Sequence, residues 1–266
     1  MTLDAGTITA VAGVGLAAGA LGGLLGIGGS VVMIPALAII FGAHDPQSQH
    51  LYQAAAMAVN VAVSAPAAAE HLRRGALHKK LFAWVLASAL VAIVLGVLAS
   101  DQMNGVTLRR VFALFLVYVA SVTLAKLIRG APETPEGHER VTPLRGSTVG
   151  GVMGFAAGLL GIGGGVLTVP LAQTLCRLPL KACIAVSSAT MCITATVGAV
   201  MKLSTLHSHG YRATDALGIA LLLAPTAVLG GYLGARLTHK LPLPAIRTVF
   251  AVLLLLAAWK MATQHA

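Results

Sequence analysis

Two glycine-rich stretches carry the residues whose type and spacing could do chemistry. The first reads GLLGIGGSVVMIP and ends at Pro35, and the second reads GLLGIGGGVLTVP and ends at Pro170. Glycine accepts unusual backbone angles, and proline has no N–H to donate, so these stretches predict helices that break and restart. A restarting helix presents unpaired N–H groups and a positive dipole end, which together bind anions. The sequence therefore predicts two anion-binding sites formed by backbone N–H groups.

The candidate site residues lie in these stretches and at polar positions of the apolar segments that follow them. Asn60 and Thr194 occupy equivalent positions in the two halves, so each half offers a hydrogen-bonding side chain at one depth. Hydrogen bonding between helices is an equal alternative for such side chains in membranes, and Ser64 and Thr190 are assigned to packing. The predicted substrate-binding residues are Gly28, Gly29, Ser30, Asn60, Gly163, Gly164, Gly165, Ser187, Ser188 and Thr194.

Other kinds of chemistry have little support. All eight acidic residues lie in loops or at segment ends, so no carboxylate is expected at the membrane midplane to bind a cation. His207 and His209 share a loop but lack further ligands, and no metal site is predicted there. No nucleophile with its base and no phosphate-cradling motif occurs, so neither an enzyme nor a cofactor is predicted. Lys202 ends an apolar run and is expected to extend toward the lipid headgroups.

Composition defines the environment of these residues. The chain has 266 residues, of which 57% are hydrophobic and 10% charged, whereas soluble domains carry about 25% charged residues. Apolar runs of membrane-spanning length follow one another along the chain. The net charge of +10 comes from short loops, where it sets orientation in the bilayer and gives no nucleic-acid footprint. An all-α polytopic membrane protein is predicted, and its first apolar segment is expected to stay in the mature protein.

The apolar segments form two groups of four. Nine of the thirteen positions from Gly23 to Pro35 are identical to those from Gly158 to Pro170, an offset of 135 residues. This match predicts a first transmembrane repeat over 1–128, a polar linker loop over 129–146 and a second repeat over 147–266, a build common in secondary transporters. The predicted segments lie near 8–41, 51–69, 81–99, 108–128, 147–176, 182–204, 214–237 and 242–262.

The first segment of each half is too long for one crossing, and two courses are open to it. It is either one kinked span or a pair of shorter helices that fold back at the glycines. Lys and Arg divide 11 to 7 between the two sides of the membrane if each segment crosses, and 13 to 5 if each folds back. The second division agrees better with the positive charge of cytoplasmic loops. The halves are then inverted, each with a broken or re-entrant helix and three further transmembrane helices.

The outer glycines have a simpler interpretation than the central ones. Gly15, Gly19 and Gly23 are spaced four residues apart, as are their counterparts in the second half. This spacing is typical of helices that pack closely and needs no ligand. Adjacent glycines are not required for packing, so the GIGG and GIGGG cores are the candidates for function.

The chain resembles the TauE/SafE family of sulfite and organosulfonate exporters in the stretches GLLGIGGSVVMIPAL, GLLGIGGGVLTVPLA, HLRRGAL and GGYLGARLTHKLP. The resemblance implies a secondary carrier of small oxyanions or organosulfur anions in the bacterial cytoplasmic membrane. Some relatives are thought to carry other small carboxylates, so the family leaves the substrate open. Ser30 departs from the third glycine of the motif, and either places a hydroxyl at the site or is a tolerated small residue. The family's glycine motifs fall on Gly26, Gly28, Gly29 and Ser30, and on Gly161, Gly163, Gly164 and Gly165.

Two functions of different classes follow. The preferred one is an alternating-access carrier that holds a small anion between the two glycine breaks and, as the family resemblance implies, exports it. The alternative is a passive channel for small anions or neutral solutes, because broken helices line pores as well. A membrane assembly factor is a weaker third hypothesis. The sequence defines neither the exact substrate nor the coupling ion. It is compatible with a homodimer but does not define the oligomeric state.

The fold-back topology predicts that both termini lie outside the cytoplasm. A reporter that is active only in the cytoplasm, fused after Ala266, is expected to stay silent. The same reporter placed in the linker between the halves is expected to be active. An active reporter at the C-terminus would contradict this orientation.

Overall fold

The structure is a computed structural model and describes residues 4–25, 28–42, 45, 47–129, 139–237 and 243–263. The described residues form helices joined by short connections, without strands. The chain is therefore all-α, as its composition predicts. The helices are α1 Ala5–Leu25, α2 Ser30–Ile40, α3 Ser48–Arg73, α4 Lys79–Asp101, α5 Gly105–Arg129, α6 Pro143–Leu160, α7 Gly165–Leu175, α8 Leu180–Thr205, α9 Ala213–Leu237 and α10 Leu243–Thr263, with a short 3-10 helix at Leu206–His209.

Six helices of the described residues are long and apolar enough to cross a membrane. The helices α2 and α7, at 11 residues each, reach only about half of a hydrocarbon core of about 30 Å. Each of them follows one of the glycine stretches. The predicted interruption of the first segment in each half is thus observed.

The second glycine stretch folds back on itself. The backbone N–H of Arg140, which precedes α6, donates to the carbonyl of Cys176, which follows α7, at 2.9 Å. The break itself turns back along α6, because a Cβ on Gly164 would lie 2.8 Å from the sulfur of Met153. The helices α6 and α7 therefore form a hairpin that enters and leaves at one end of the molecule.

The first stretch turns in the same way. A Cβ on Gly29 would lie 2.9 Å from the carbonyl oxygen of Ala18, and one on Gly22 would lie 2.8 Å from the backbone of Gly28. The start of α2 is thus beside the middle of α1, two turns before α1 ends. The helices α1 and α2 are the first hairpin.

Contacts between distant loops separate the two ends of the molecule. At one end the Lys202 ammonium lies 3.0 Å from Asp101. At the other end His78 lies 3.4 Å from Glu139, one residue before Arg140. Segments that crossed once would put Lys202 and Asp101 on opposite sides, so the structure favours the fold-back course. That the two halves are inverted repeats stays a prediction.

The outer glycines pack helices together, as their spacing predicts. Gly19 and Gly23 of α1 face the backbone of α9 at Ala227 and Gly231. The corresponding glycines of α6 face the backbone of α4, where Gly150 meets Val85, Gly154 meets Ala89 and Gly158 meets Ile93. A side chain at any of these positions would separate the two helices. Packing of backbone on backbone is a main source of helix association in lipid.

This packing predicts different outcomes for two neighbouring glycines of α6. Gly154→Val should destabilise the protein, because its Cβ would lie 2.6 Å from the Ala89 carbonyl oxygen. Gly151→Val is the matched control, since no atom lies within 4 Å of its Cβ position. The midpoint of thermal unfolding in detergent measures the effect. Equal midpoints for the two variants would contradict the close contact between α4 and α6.

Candidate functional site

The second glycine stretch is built from left-handed backbone. After Leu160, Gly161, Gly163 and Gly164 have φ angles of +74°, +69° and +85°. Residues with a Cβ avoid this region at a cost of about 1–2 kcal/mol each. Gly164 is the N-cap of α7, whose first residue is Gly165. The run of glycines thus lets the chain reverse within a few residues inside the bundle.

The first stretch restarts in a similar manner. Gly28 has a φ of +77°, and Gly29 is the N-cap of α2. Neither Gly29 nor Gly164 provides a side-chain capping bond. The first N–H groups of each short helix lack acceptors within their own helix and carry the positive end of its dipole. Gly26 lies outside the described residues.

Asn60 lies between the two breaks. A Cβ on Gly163 would be 2.7 Å from Asn60 Nδ2, and one on Gly28 would be 3.7 Å from Asn60 Oδ1. The Met191 side chain lies 3.1 Å from both of these Cβ positions. Asn60 is fully buried at the middle of α3, and neither polar atom of its amide has a hydrogen-bond partner within the described part of the chain. A buried amide without hydrogen bonds raises the free energy of the folded state. A ligand or a water molecule is therefore expected to bind at this position.

A direct hydrogen bond also joins the two breaks. The hydroxyl of Ser30 donates to the backbone carbonyl of Ile162 at 2.9 Å, and Ser30 is fully buried. Of the two alternatives for Ser30, a hydroxyl at the site is favoured over a merely tolerated small residue, because this hydroxyl links one hairpin to the other. Gly165, at the equivalent position, has no side chain with which to form the reciprocal bond.

The polar residues of α8 differ in how their hydroxyls are used. Ser188 donates to the Ile184 carbonyl and Thr194 to the Thr190 carbonyl, both within the helix. The Ser187 hydroxyl is buried and has no partner among the described residues. Of the predicted α8 residues, Ser187 is therefore the one with a hydroxyl available to a ligand.

Thr190 is a candidate that the sequence reasoning assigned to packing. Its hydroxyl is fully buried and lacks a partner in the part of the chain that the structure describes. Ser187, Thr190, Met191 and Thr194 recur at the three- and four-residue spacing of one helix face. That face contains Met191, which contacts both breaks, and this spacing is the signal that could have identified Thr190.

Lys202 does not extend toward the headgroups, so that expectation was wrong. Its side chain is 1% exposed. The ammonium lies 2.6 Å from the Ser100 hydroxyl, 3.0 Å from the Asp101 carboxylate and 3.4 Å from His50 Nδ1. These partners come from α3 and α4, about 100 residues or more away in the chain, which is why the local sequence did not reveal them.

The surroundings of the histidines near Lys202 were also only partly predicted from the sequence. His207 is exposed, whereas His209 stacks on His50 with ring centroids 3.7 Å apart. Ligand atoms of His50, Asp101 and His209 lie within 4.8 Å of one another, a spacing that could hold a metal ion. The Lys202 ammonium, however, already supplies a cation to Asp101 at this place.

Arg109 is a second buried base that the sequence reasoning counted only as a loop charge. It lies in the second turn of α5 and is 2% exposed. None of its three guanidinium nitrogens has a hydrogen-bond partner among the described residues. A buried charge without a partner costs several kcal/mol, and inside a membrane protein it marks a functional site by default.

Membrane transporters commonly contain helices that are broken in the middle of the bundle and that meet around buried polar groups. The two hairpins of this chain have this arrangement. Residues 11–261 match the family described as Sulfite exporter TauE/SafE. The chain belongs to this family, and the resemblance of its glycine motifs is confirmed.

Several curated relatives carry the name "Probable membrane transporter protein". MamO of Magnetospirillum gryphiswaldense is 28% identical over 93% of this chain, which spans only 44% of MamO. MJ0441 of Methanocaldococcus jannaschii is 24% identical, with 91% of this chain and 90% of the relative covered. YunE of Bacillus subtilis is also 24% identical, with 91% and 92% covered. No solved structure matches the chain.

The geometry at Asn60 predicts a large difference between two glycines of similar φ. Gly75→Ala should cost only the backbone strain of about 1–2 kcal/mol, because φ is +66° and no atom lies within 4 Å of the Cβ position. Gly163→Ala should cost clearly more, because its methyl group would displace the Asn60 amide. Thermal unfolding of both variants measures this. Equal losses would show that Asn60 is not held against the break.

Proposed function

We infer that this protein is a secondary carrier of small oxyanions, with sulfite or organosulfonates as substrates, in the bacterial cytoplasmic membrane. The substrate binds between the two glycine breaks and crosses by alternating access, in the direction of export. The observation that carries this proposal is the meeting of both breaks around the buried, unsatisfied amide of Asn60. The family's description and the relatives' names support it at the level of transport.

The groups around Asn60 suit an oxyanion. A sulfite or sulfonate head presents three oxygen acceptors, which require donors. The first turns of α2 and α7 offer backbone N–H groups and Asn60 offers its amide. Ser187, one turn before Met191 on α8, offers a hydroxyl. Helix N-termini stabilise negative charge through both their N–H groups and their dipoles. Two short helices that begin at the breaks therefore give an anion site that needs no charged side chain.

The contact between the breaks suits a carrier. The Ser30–Ile162 hydrogen bond leaves the two hairpins touching in this conformation, and Asn60 of α3 lies close against Gly163. An anion enters this position only if the hairpins separate. A site that must open to load and close to release is the requirement of alternating access.

The charges within the bundle also favour an anion over a cation. Asp101 is the one described acidic residue that is not exposed, and it is paired with Lys202. Arg109 is buried without a partner among the described residues. An anion on its way to the breaks would supply the counter-charge that the Arg109 guanidinium lacks.

A passive channel is the second candidate, since the glycine breaks could line a pore. Labelled sulfite and sulfoacetate in reconstituted vesicles separate the two functions. A carrier shows saturation and exchanges labelled for unlabelled substrate across the membrane. A channel gives flux that barely saturates and no counterflow.

The unsatisfied groups predict which polar residues matter for binding. Asn60→Leu and Ser187→Ala should each weaken anion binding about tenfold or more, because hydrogen bonds to charged groups contribute about 1.5–3 kcal/mol. Ser188→Ala is the matched control, since its hydroxyl is bonded within α8. Thermal stabilisation by sulfite, sulfate, thiosulfate, sulfoacetate, taurine and simple carboxylates reports binding. Unchanged stabilisation and counterflow in Asn60→Leu would overturn the proposed site.

A further inference from the structure

We propose that Lys202, Asp101, His50 and His209 form the proton-binding site that couples transport to a pH gradient. This inference rests on the proposed carrier function, and it assigns a role to four side chains that lie away from the glycine breaks. They come from α8, α4, α3 and the short 3-10 helix, so one cluster joins four separate elements.

The hydrogen bonds define which atoms carry protons in this structure. His50 Nε2 lies 3.1 Å from the carbonyl of Met103, so this nitrogen donates and Nδ1 is left as an acceptor. Nδ1 faces the Lys202 ammonium at 3.4 Å. Lys202 also donates to Asp101 and Ser100. The geometry therefore fits a lysine ammonium that donates to Asp101 and Ser100 and faces the acceptor nitrogen of His50.

One side of the cluster is shielded from solvent and the other is partly exposed to it. The side chain of Lys202 is 1% exposed and His50 is fully buried, whereas Asp101 and His209 are 15% and 9% exposed. His209 Nε2 lies 3.7 Å from Asp101 Oδ1, and Asp101 Oδ2 has no hydrogen-bond partner among the described residues. The cluster thus borders solvent through Asp101 and His209, although Asp101 Oδ2 and His209 Nε2 are themselves buried in this conformation.

Protonation cannot leave this arrangement unchanged. The charged groups that act on one another here are the four named side chains. A proton on Asp101 removes the counter-charge of the buried Lys202 ammonium and leaves that ammonium as an uncompensated buried charge. Protonation of both stacked histidines would oppose two like charges at 3.7 Å. Proton uptake therefore weakens the contacts that hold α8 against α4 and α3.

A chain of contacts leads from the cluster to the second glycine break. Ser100, which accepts from Lys202, donates to Gln53 Oε1 at 3.4 Å. Gln53 Nε2 donates at 3.3 Å to the carbonyl of Leu159, in the last turn of α6. A Cβ on Gly161 would lie 2.7 Å from the Gln53 side chain. Movement of Lys202 is thereby transmitted to the break that faces Asn60.

The arrangement also distinguishes a proton site from a metal site. The ligand atoms of His50, Asp101 and His209 are close enough for an ion. Lys202 places its ammonium 3.0 Å from Asp101 Oδ1 and 3.4 Å from His50 Nδ1, beside two of the groups that would hold a metal. A divalent ion would have to displace this buried cation, whereas a proton only redistributes charge among groups already present.

The test uses the full chain in proteoliposomes with labelled sulfoacetate, whose acid groups stay ionised near neutral pH. With the membrane potential held at zero by valinomycin and equal potassium on both sides, a pH difference of one unit should drive about tenfold accumulation in the wild type for one proton per substrate. The double variant Lys202→Met/Asp101→Asn should lose this accumulation almost completely and still show counterflow. Removing both charges avoids a lone buried ion, which a single substitution would leave. His207→Gln is the control, because His207 is an exposed histidine of the same 3-10 helix.

The outcomes separate this inference from the carrier function. Counterflow with equal gradient-driven accumulation in the wild type and the double variant would overturn the proton site alone. A wild type without counterflow of either sulfite or sulfoacetate would overturn the carrier and the proton site together. Tight one-to-one binding of Zn²⁺ by the wild type, lost in His50→Gln, would assign the cluster to a metal and also overturn the proton site.

Discussion

Hydrocarbon offers no hydrogen bonds, and this constraint governs the rest of the structure. A helix that stops inside a membrane leaves N–H and carbonyl groups unpaired, which is tolerated only where protein or a wet cavity surrounds them. Here two helices stop, after Leu25 and Leu160, and both breaks are enclosed by α3 and α8. Beside this enclosure, the outer glycines pack α1 closely onto α9 and α6 onto α4. The helix breaks are thus tolerated because closely packed helices surround them.

Enclosing the breaks concentrates polarity at the centre of an otherwise apolar bundle. Asn60, Ser187 and Thr190 bring side-chain groups that have no partners among the described residues. The resulting surface is rich in donors and has no acidic residue among its described members, so it suits an anion. The ionisable groups lie nearer helix ends, Lys202 in the last turn of α8 and Arg109 in the second turn of α5. In the proposed carrier, anion binding and charge compensation therefore belong to different levels of the bundle.

Much of the fold could be predicted from the sequence because its causes are local. Apolar length gives the helices, and the adjacent glycines of the two motifs give the breaks. The repeat paired Asn60 with Thr194, yet the structure uses them differently, because the Thr194 hydroxyl bonds within its own helix. The Lys202 pairing could not be predicted, since His50 and Asp101 reach it only through the packing of three helices. The contact of Ser30 with Ile162 likewise depends on how the hairpins meet.

The central claim is that the substrate anion binds where the two breaks meet. Selenite, the selenium analogue of sulfite, can be located in crystals of the protein by its anomalous scattering. The account predicts a selenium peak within hydrogen-bonding distance of the Asn60 side chain, between Gly28 and Gly163. A peak found only beside Arg109 or Lys202, with none at the breaks, would contradict it.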